Sequence, residues 1–178
     1  MRPPIAIIAA AALACGVLLL SGWDYLDRKV PAMAEADAQA TMIMVDKKAR
    51  KLMLLHDADV LKTYDVSLGR VAGGNKQQEG DSRTPEGHYV IDAKNPRSRF
   101  HLALRVSYPD AADRDRARRL GVPPGGDIMI HGLRNGLGWL GRLHLAVDWT
   151  DGCIAVTDSQ VEEIWSLVAI GTPIEIKP

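Results

Sequence analysis

The sequence predicts a mainly β domain, a mixed β-sandwich or barrel-like fold with one or two short helices, preceded by an N-terminal hydrophobic helix. Short apolar runs separated by polar turns begin at Thr41 and recur to the end of the chain, which is typical of strands. The 178 residues include 16 Gly and 10 Pro, which favours turns over long helices. The hydrophobic helix is predicted from residues 5–20, which carry no charged side chain.

The N-terminal apolar run is intermediate between two kinds of membrane signal. It is shorter than the roughly 20 apolar residues of a spanning helix and longer than the apolar core of about 7–15 residues in a secretory signal. An uncleaved anchor is our first interpretation, and a cleaved signal peptide or a lipoprotein signal at Cys15 are the alternatives. Because Arg2 precedes the run, we expect the rest of the chain to be exported. We divide the chain into a signal or anchor (residues 1–22), a stem (residues 23–40) and a folded domain (residues 41–178).

The predicted elements of the folded domain begin with a three-stranded meander. Its strands are residues 42–45, 52–55 and 60–68, and further strands are predicted at residues 88–92, 102–106, 127–130 and 174–177. Residues 110–120 form a predicted helix, with acidic residues first and Arg residues later, as the helix dipole favours. A second helix begins with the capping box of Thr157 and Gln160, and we expect it to end at Gly171.

Charge and motif content exclude several functions. Lys and Arg number 22, as do Asp and Glu, so the basic surplus of a nucleic-acid-binding protein is missing. The glycine pair at residues 73–74 lacks the Gly-Lys-Ser/Thr end of a phosphate loop. The chain has no Gly-x-Ser-x-Gly motif of a serine hydrolase. His131, His144 and Cys153 match no known zinc-ligand spacing, so we expect no metal site.

The leading candidate for chemistry is Cys153, which follows Gly152 between a polar loop and a strand. A glycine there permits a sharp turn, and the N–H groups of Gly152 and Cys153 could face an oxyanion. A thiol nucleophile needs a base or a positive neighbour. His131, which ends an apolar strand and precedes Gly132, is our first choice for the base, and His144 is the second. Alternatively, Cys153 is a small core residue and His131 a hydrogen-bonded turn residue.

Two other histidines have weaker predicted roles. His88 follows the Thr-Pro-Glu-Gly turn at residues 84–87, and we expect it to line the cleft. His144 lies within residues 138–148, which we predict to be a mobile loop over the cleft that contacts substrate.

These residues resemble the catalytic motif of the YkuD-type L,D-transpeptidases. In that motif a His is followed, after a spacer, by Ser/Thr-His-Gly-Cys. Here His131-Gly132 is followed by Thr150-Asp151-Gly152-Cys153, across a long spacer. The segments at residues 80–89, 106–109 and 128–132 are also similar to the family, so that the resemblance extends over residues 41–177.

The resemblance implies a mostly β domain that acts on the stem peptides of peptidoglycan in the periplasm. Cys153 would attack a peptide carbonyl next to the diamino acid and form a thioester, with His131 as base. The Gly132 carbonyl would orient His131, and the Gly152–Cys153 backbone would supply the oxyanion hole. No metal or organic cofactor is implied, and an active thiol should titrate below the ordinary pKa of about 8.5.

Two departures from the family motif bear on function. Asp151 stands where the motif has His, and Ala155 where it often has Arg. This version resembles a subgroup that includes a hydrolase releasing a wall-bound lipoprotein. Three functions therefore stay open. The protein is a transpeptidase, a hydrolase that cuts cross-links or lipoprotein linkages, or a non-catalytic module that binds peptidoglycan. Substrate binding is assigned to Thr150, Asp151, Arg134, His144 and His88, and Arg142 or Arg105 are further candidates for carboxylate recognition.

Overall fold

Two tight antiparallel hairpins begin the sheet. β1 (Met42–Asp46) pairs with β2 (Lys51–His56), and β2 pairs with β3 (Asp59–Asp65), with a register shift between Leu54 and Leu55. The computed structural model describes residues 29–178, so the predicted N-terminal helix lies outside the described residues. The predicted meander is confirmed, although its third strand ends earlier than expected, at Asp65.

The remaining strands complete an eight-stranded mixed sheet within the described residues. They are β4 (Gly87–Ser98), β5 (His101–Val106), β6 (Met129–His131), β7 (Ile154–Ala155) and β8 (Pro173–Lys177). The spatial order is β3-β2-β1-β8-β4-β5-β6-β7. The pairs β1–β8 and β6–β7 are parallel, and the others are antiparallel. This order places β6, which ends at His131, next to β7, which directly precedes the C-terminal helix in sequence.

β4 joins the two halves of the sheet. Its first residues pair with β8 and its later residues with β5, and the register shifts between Ile91 and Ala93. The strand extends to Ser98, well beyond the predicted residues 88–92. Residues 93–98 are mostly polar and lack an alternating apolar pattern, so their strand structure depends on pairing with β5 rather than on local sequence.

Both predicted helices are present. α1 (Ala111–Leu120) begins with a capping box between Asp110 and Asp113, and α2 (Asp158–Leu167) with one between Thr157 and Gln160. The expected end of α2 at Gly171 is wrong, because the helix already ends at Val168, whose backbone is extended. Gly171 instead lies in the following turn and donates its N–H to the Ile91 carbonyl at 2.7 Å.

The core lies between the sheet and α2, which buries Val161, Ile164 and Trp165. This arrangement confirms the predicted mainly β class with few short helices. Residues 138–146, predicted to be a mobile loop, instead form a 3-10 helical segment, interrupted at Gly141 where φ is 49°. Among residues 29–178, no helix combines the length and apolar character needed to cross a membrane.

Candidate active site

Cys153 follows a sharp glycine turn directly before β7. At Gly152 φ is 125°, and a Cβ there would lie 2.6 Å from the carbonyl oxygen of Arg83, so the turn requires glycine. The hydroxyl of Thr150 donates to the Cys153 carbonyl at 2.7 Å and accepts the Gly152 N–H at 3.1 Å. The Gly152 N–H, expected as an oxyanion donor, is therefore already engaged, which leaves the Cys153 N–H as the candidate donor.

His131 is the last residue of β6 and is held on both sides. Its backbone pairs with Ala103 of β5 and Ala155 of β7, and the residue is only 5% exposed. Nδ1 lies 2.7 Å from the Gly132 carbonyl oxygen. A carbonyl can only accept, so Nδ1 carries the proton and Nε2 is the basic nitrogen. Burial lowers the pKa of His131, against the opposing effect of the Gly132 hydrogen bond, and keeps the imidazole neutral at pH 7.

His131 and Cys153 line one cleft of about 440 Å³. One wall is the end of β4 with the turn that follows it, at residues 95 and 97–100. Asp127 and Met129 form a second part of the lining, and residues 149–151 a third. A separate cavity of about 390 Å³ lies beside Lys47, Arg50 and Asp148, and neither Cys153 nor His131 lines it. The cleft with the thiol and the imidazole is thus the place where chemistry can occur.

Aromatic rings pack around the His131 imidazole. The Phe100 ring lies 4.7 Å from it between centroids, and the Trp149 ring 5.8 Å from it at 68°. Phe100 and Trp149 also stack on each other, at 6.3 Å and 29°. These contacts fix the plane of the imidazole and shield it from water.

The thiol of Cys153 lies beside a backbone carbonyl. Sγ lies 3.5 Å from the Asp127 carbonyl oxygen, to which it donates. Burial raises the pKa of Cys153, opposed by the Met129 N–H and reinforced by the carboxylates of Asp151 and Asp127. This direction is opposite to the lowered pKa expected for an activated thiol. A neighbouring group that accepts the thiol proton would therefore favour attack by sulfur.

His144 does not line the cleft but lies behind one of its walls. It is 8% exposed, and its Nδ1 accepts the indole N–H of Trp149 at 3.2 Å. Within the described residues, its Nε2 is buried without a hydrogen-bond partner. The expected loop residue is thus a buried support for Trp149.

The other predicted site residues divide into two groups. Thr150 and Asp151 line the cleft, and the Asp151 carboxylate binds Arg70 and Ser82. His88 is exposed on β4 opposite Glu175, and Arg134 is exposed; neither is among the residues that line the cleft.

Arg105 and Arg142 are engaged away from the cleft, with Asp92 and Asp65 respectively. The lining residues that the sequence did not reveal include Arg99, Phe100, Asp127 and Trp149. Trp149 directly precedes the Thr-Asp-Gly-Cys segment, so its position was the one available signal. Within residues 29–178, no group of three His, Cys, Asp or Glu side chains is arranged to hold a metal ion.

Comparison with known proteins assigns the chain to a family. Residues 40–176 match the family model of the YkuD L,D-transpeptidase catalytic domain. The chain belongs to this family. It is 30% identical over 111 residues to the predicted L,D-transpeptidase YafK of Escherichia coli (strain K12). That match covers 61% of this chain and 37% of YafK, so the YkuD domain spans well under half the length of this relative.

Solved structures share the fold of this YkuD domain. The helical cell shape determining protein Pgp2 of Campylobacter jejuni superposes with a TM-score of 0.59 at 22% identity, covering 89% of this chain and 54% of Pgp2. Bd1075 of Bdellovibrio bacteriovorus gives 0.54 at 23% identity, covering 83% and 51%. An L,D-transpeptidase from Mycobacterium smegmatis gives 0.52 at 17% identity, covering 77% and 58%.

Proposed function

We propose that this YkuD domain is a periplasmic cysteine acyltransferase that acts on peptidoglycan stem peptides, at amide bonds next to the diamino acid. The observation that carries the proposal is the position of Cys153 and His131 on one cleft, with Nδ1 of His131 committed to the Gly132 carbonyl. That hydrogen bond leaves Nε2 as the base for a thiol that burial keeps protonated. Membership of the L,D-transpeptidase family supports the substrate class.

The reaction begins when His131 takes the thiol proton of Cys153. Sulfur then attacks the amide carbonyl carbon. The oxyanion that forms is stabilised by the turn before β7, where the Cys153 N–H is the candidate donor. The C–N bond breaks as His131 returns the proton to the leaving amine, which gives a thioester. An amine of a second stem peptide then attacks the thioester carbon and gives a proton to His131. The new C–N bond replaces the C–S bond, and His131 passes the proton to the departing thiolate, which restores the thiol and the neutral imidazole.

The proposed location and partners follow from the sequence. The uncharged run at residues 5–20, after Arg2, supports export and an inner-membrane anchor. The partners we propose are peptidoglycan stem peptides and, for the hydrolytic reaction below, a wall-linked lipoprotein.

Hydrolysis is the second candidate reaction. Asp151 and Ala155 depart from the usual motif and resemble a subgroup with a hydrolase. In the structure the Asp151 carboxylate lies on the cleft lining, where the common motif has an imidazole. Water would then replace the amine in the second step, and a free carboxylate would be the product.

Incubation with purified muropeptides and mass analysis of the products tests both reactions. Transfer gives a cross-linked or exchanged product whose yield rises with added amine, whereas hydrolysis gives a shortened or released stem. The Cys153→Ala variant is the control for cysteine-dependent turnover. If the protein binds muropeptides but forms neither product, it is a non-catalytic binding module.

A further inference from the structure

We propose that Arg99 and Asp127, on different parts of the cleft lining, recognise a substrate group that carries both a carboxylate and an ammonium. Such a group is the free end of the diamino acid in a stem peptide. This inference rests on the proposed function and deepens it by naming the residues that select the substrate. Arg99 would bind the carboxylate and Asp127 the ammonium.

Arg99 is positioned by a turn that is held rigidly. Residues 99–100 connect Ser98 and His101, which pair across the end of β4 and β5. The Phe100 N–H donates to the Ser98 hydroxyl at 2.9 Å, and the Asn135 N–H donates to the Arg99 carbonyl at 2.9 Å. A turn fixed in this way presents a side chain at a defined place.

The same turn places Arg99 beside the proposed base. The next residue, Phe100, packs on the His131 imidazole at 4.7 Å, and its carbonyl accepts the Gly132 N–H at 3.1 Å. Arg99 is exposed and lines the cleft. A guanidinium there can bind a carboxylate through two parallel hydrogen bonds.

Asp127 lies beside the nucleophile. Its carbonyl accepts from the Cys153 thiol at 3.5 Å, and its exposed side chain is part of the cleft lining. Its φ of 54° is in the left-handed region, which Asp and Asn tolerate better than other side chains. An ammonium bound to this carboxylate would lie near the reacting sulfur.

The other charged groups near the cleft are already engaged, including Arg97, which also lines it and makes an interaction of its own. Asp151 binds Arg70 and Ser82, and Arg105 binds Asp92. Arg134 is exposed but outside the cleft lining. Arg99 and Asp127 therefore fit a ligand with one positive and one negative group, and the cleft volume is in the range of ligand sites.

The test measures how well three tripeptides protect Cys153 from iodoacetamide. The probes are Ala-γ-Glu-diaminopimelate, the same peptide with lysine in place of diaminopimelate, and the diaminopimelate peptide acetylated on its side-chain amine. In the unmodified protein, the first peptide should halve the rate of Cys153 labelling at about a tenfold lower concentration than either of the other two peptides does.

Each variant should lose one of these preferences. In Arg99→Ala, the diaminopimelate and lysine peptides should protect Cys153 equally well. In Asp127→Asn, the diaminopimelate peptides with a free and with an acetylated amine should protect Cys153 equally well. Asn accepts the same φ, so the backbone carbonyl that faces Cys153 is retained. Comparing peptides within one variant removes any change in intrinsic thiol reactivity. Arg134→Ala is the matched control and should keep both preferences.

Protection is measured separately from turnover, so the inference and the proposed function can fail independently. Two results would overturn the inference even if muropeptides are turned over. One is an unmodified protein that shows no preference among the peptides, and the other is an Arg99→Ala variant that still prefers the diaminopimelate peptide to the lysine peptide. Preferences that follow the predicted pattern without any turnover would support charge recognition and contradict the proposed reaction.

Discussion

The indole N–H of Trp149 donates to Nδ1 of His144 at 3.2 Å, and this bond links a buried histidine to the wall of the cleft. Because Nδ1 accepts, His144 is neutral and carries its proton on Nε2. Trp149 in turn lies edge-on to the His131 imidazole. His144 is therefore a positioning residue that reaches the proposed base through one ring.

We predict that His144→Ala raises KM more than it lowers kcat. The truncation leaves the part-buried Trp149 N–H without its acceptor, and losing one such hydrogen bond costs about 0.5–1.5 kcal/mol. The indole should then lose its fixed position in the cleft wall. Steady-state kinetics on muropeptides measure the two constants.

Trp149→Phe is the matched comparison for this prediction, because it keeps an aromatic ring in the cleft wall but removes the N–H donor and part of the ring volume. It should reproduce much of the effect, and the double variant should be no worse than the more impaired single variant. Additive losses would show that His144 acts on something other than Trp149.

We predict that His131→Ala lowers kcat/KM by about 10²–10⁴-fold, the usual effect of losing a general base. The burial of Cys153 strengthens this expectation, because a thiol with a raised pKa depends on a partner that removes its proton. Circular dichroism should show an unchanged fold. A larger loss of iodoacetamide reactivity in His144→Ala than in His131→Ala would contradict this assignment of the base.

Local sequence patterns predicted the parts of the site that depend on short segments. Gly152 directly before Cys153 predicted the sharp turn, whereas the role of the Gly132 carbonyl in the imidazole hydrogen bond was implied by the resemblance to the L,D-transpeptidases. Thr157 and Gln160 likewise gave the start of α2.

The parts that depend on distant pairing were missed. Arg99 reaches the cleft only because the polar end of β4 pairs with β5, and no periodicity in residues 93–98 indicates a strand. The raised pKa of Cys153 depends first on burial, which the motif does not show, and then on the carboxylates of Asp151, within the motif, and of Asp127, 26 residues away. The glycines near His144 in sequence predicted a loop position for it. In the structure His144 is buried and accepts a hydrogen bond from Trp149.

We predict that Cys153→Ala abolishes turnover and leaves the fold intact. Cys153 is only partly buried, so the loss of one sulfur atom should lower the free energy of unfolding by about 1 kcal/mol or less. Muropeptide assays and thermal unfolding test the two halves of this prediction. Retained turnover would remove Cys153 from the mechanism, and a large fall in Tm would indicate a core role.

We predict that a carbapenem acylates Cys153 once. The strained lactam carbonyl is an acyl donor for a thiol beside an imidazole base, as in the proposed first step. Intact mass should show a single adduct in the unmodified protein and none in Cys153→Ala. If no adduct forms although the Cys153 thiol is still titratable, the cleft is occluded to the bicyclic ring or the protein belongs to the hydrolase-like subgroup.

We predict that Asp151→Asn shifts the alkylation profile of Cys153 to lower pH. The Asp151 carboxylate disfavours the nearby thiolate and so contributes to the raised pKa of Cys153. Removing that charge lowers the pKa, so a larger fraction of thiolate is present at each pH below it. Asp115→Asn, on the exposed face of α1, is the control and should leave the profile unchanged. Rates of iodoacetamide labelling between pH 6 and about 10 measure the shift, since this range brackets the ordinary thiol pKa. A shift to higher pH in Asp151→Asn would show that the carboxylate acts by holding Arg70 away from the sulfur or by shaping the turn, rather than by its charge.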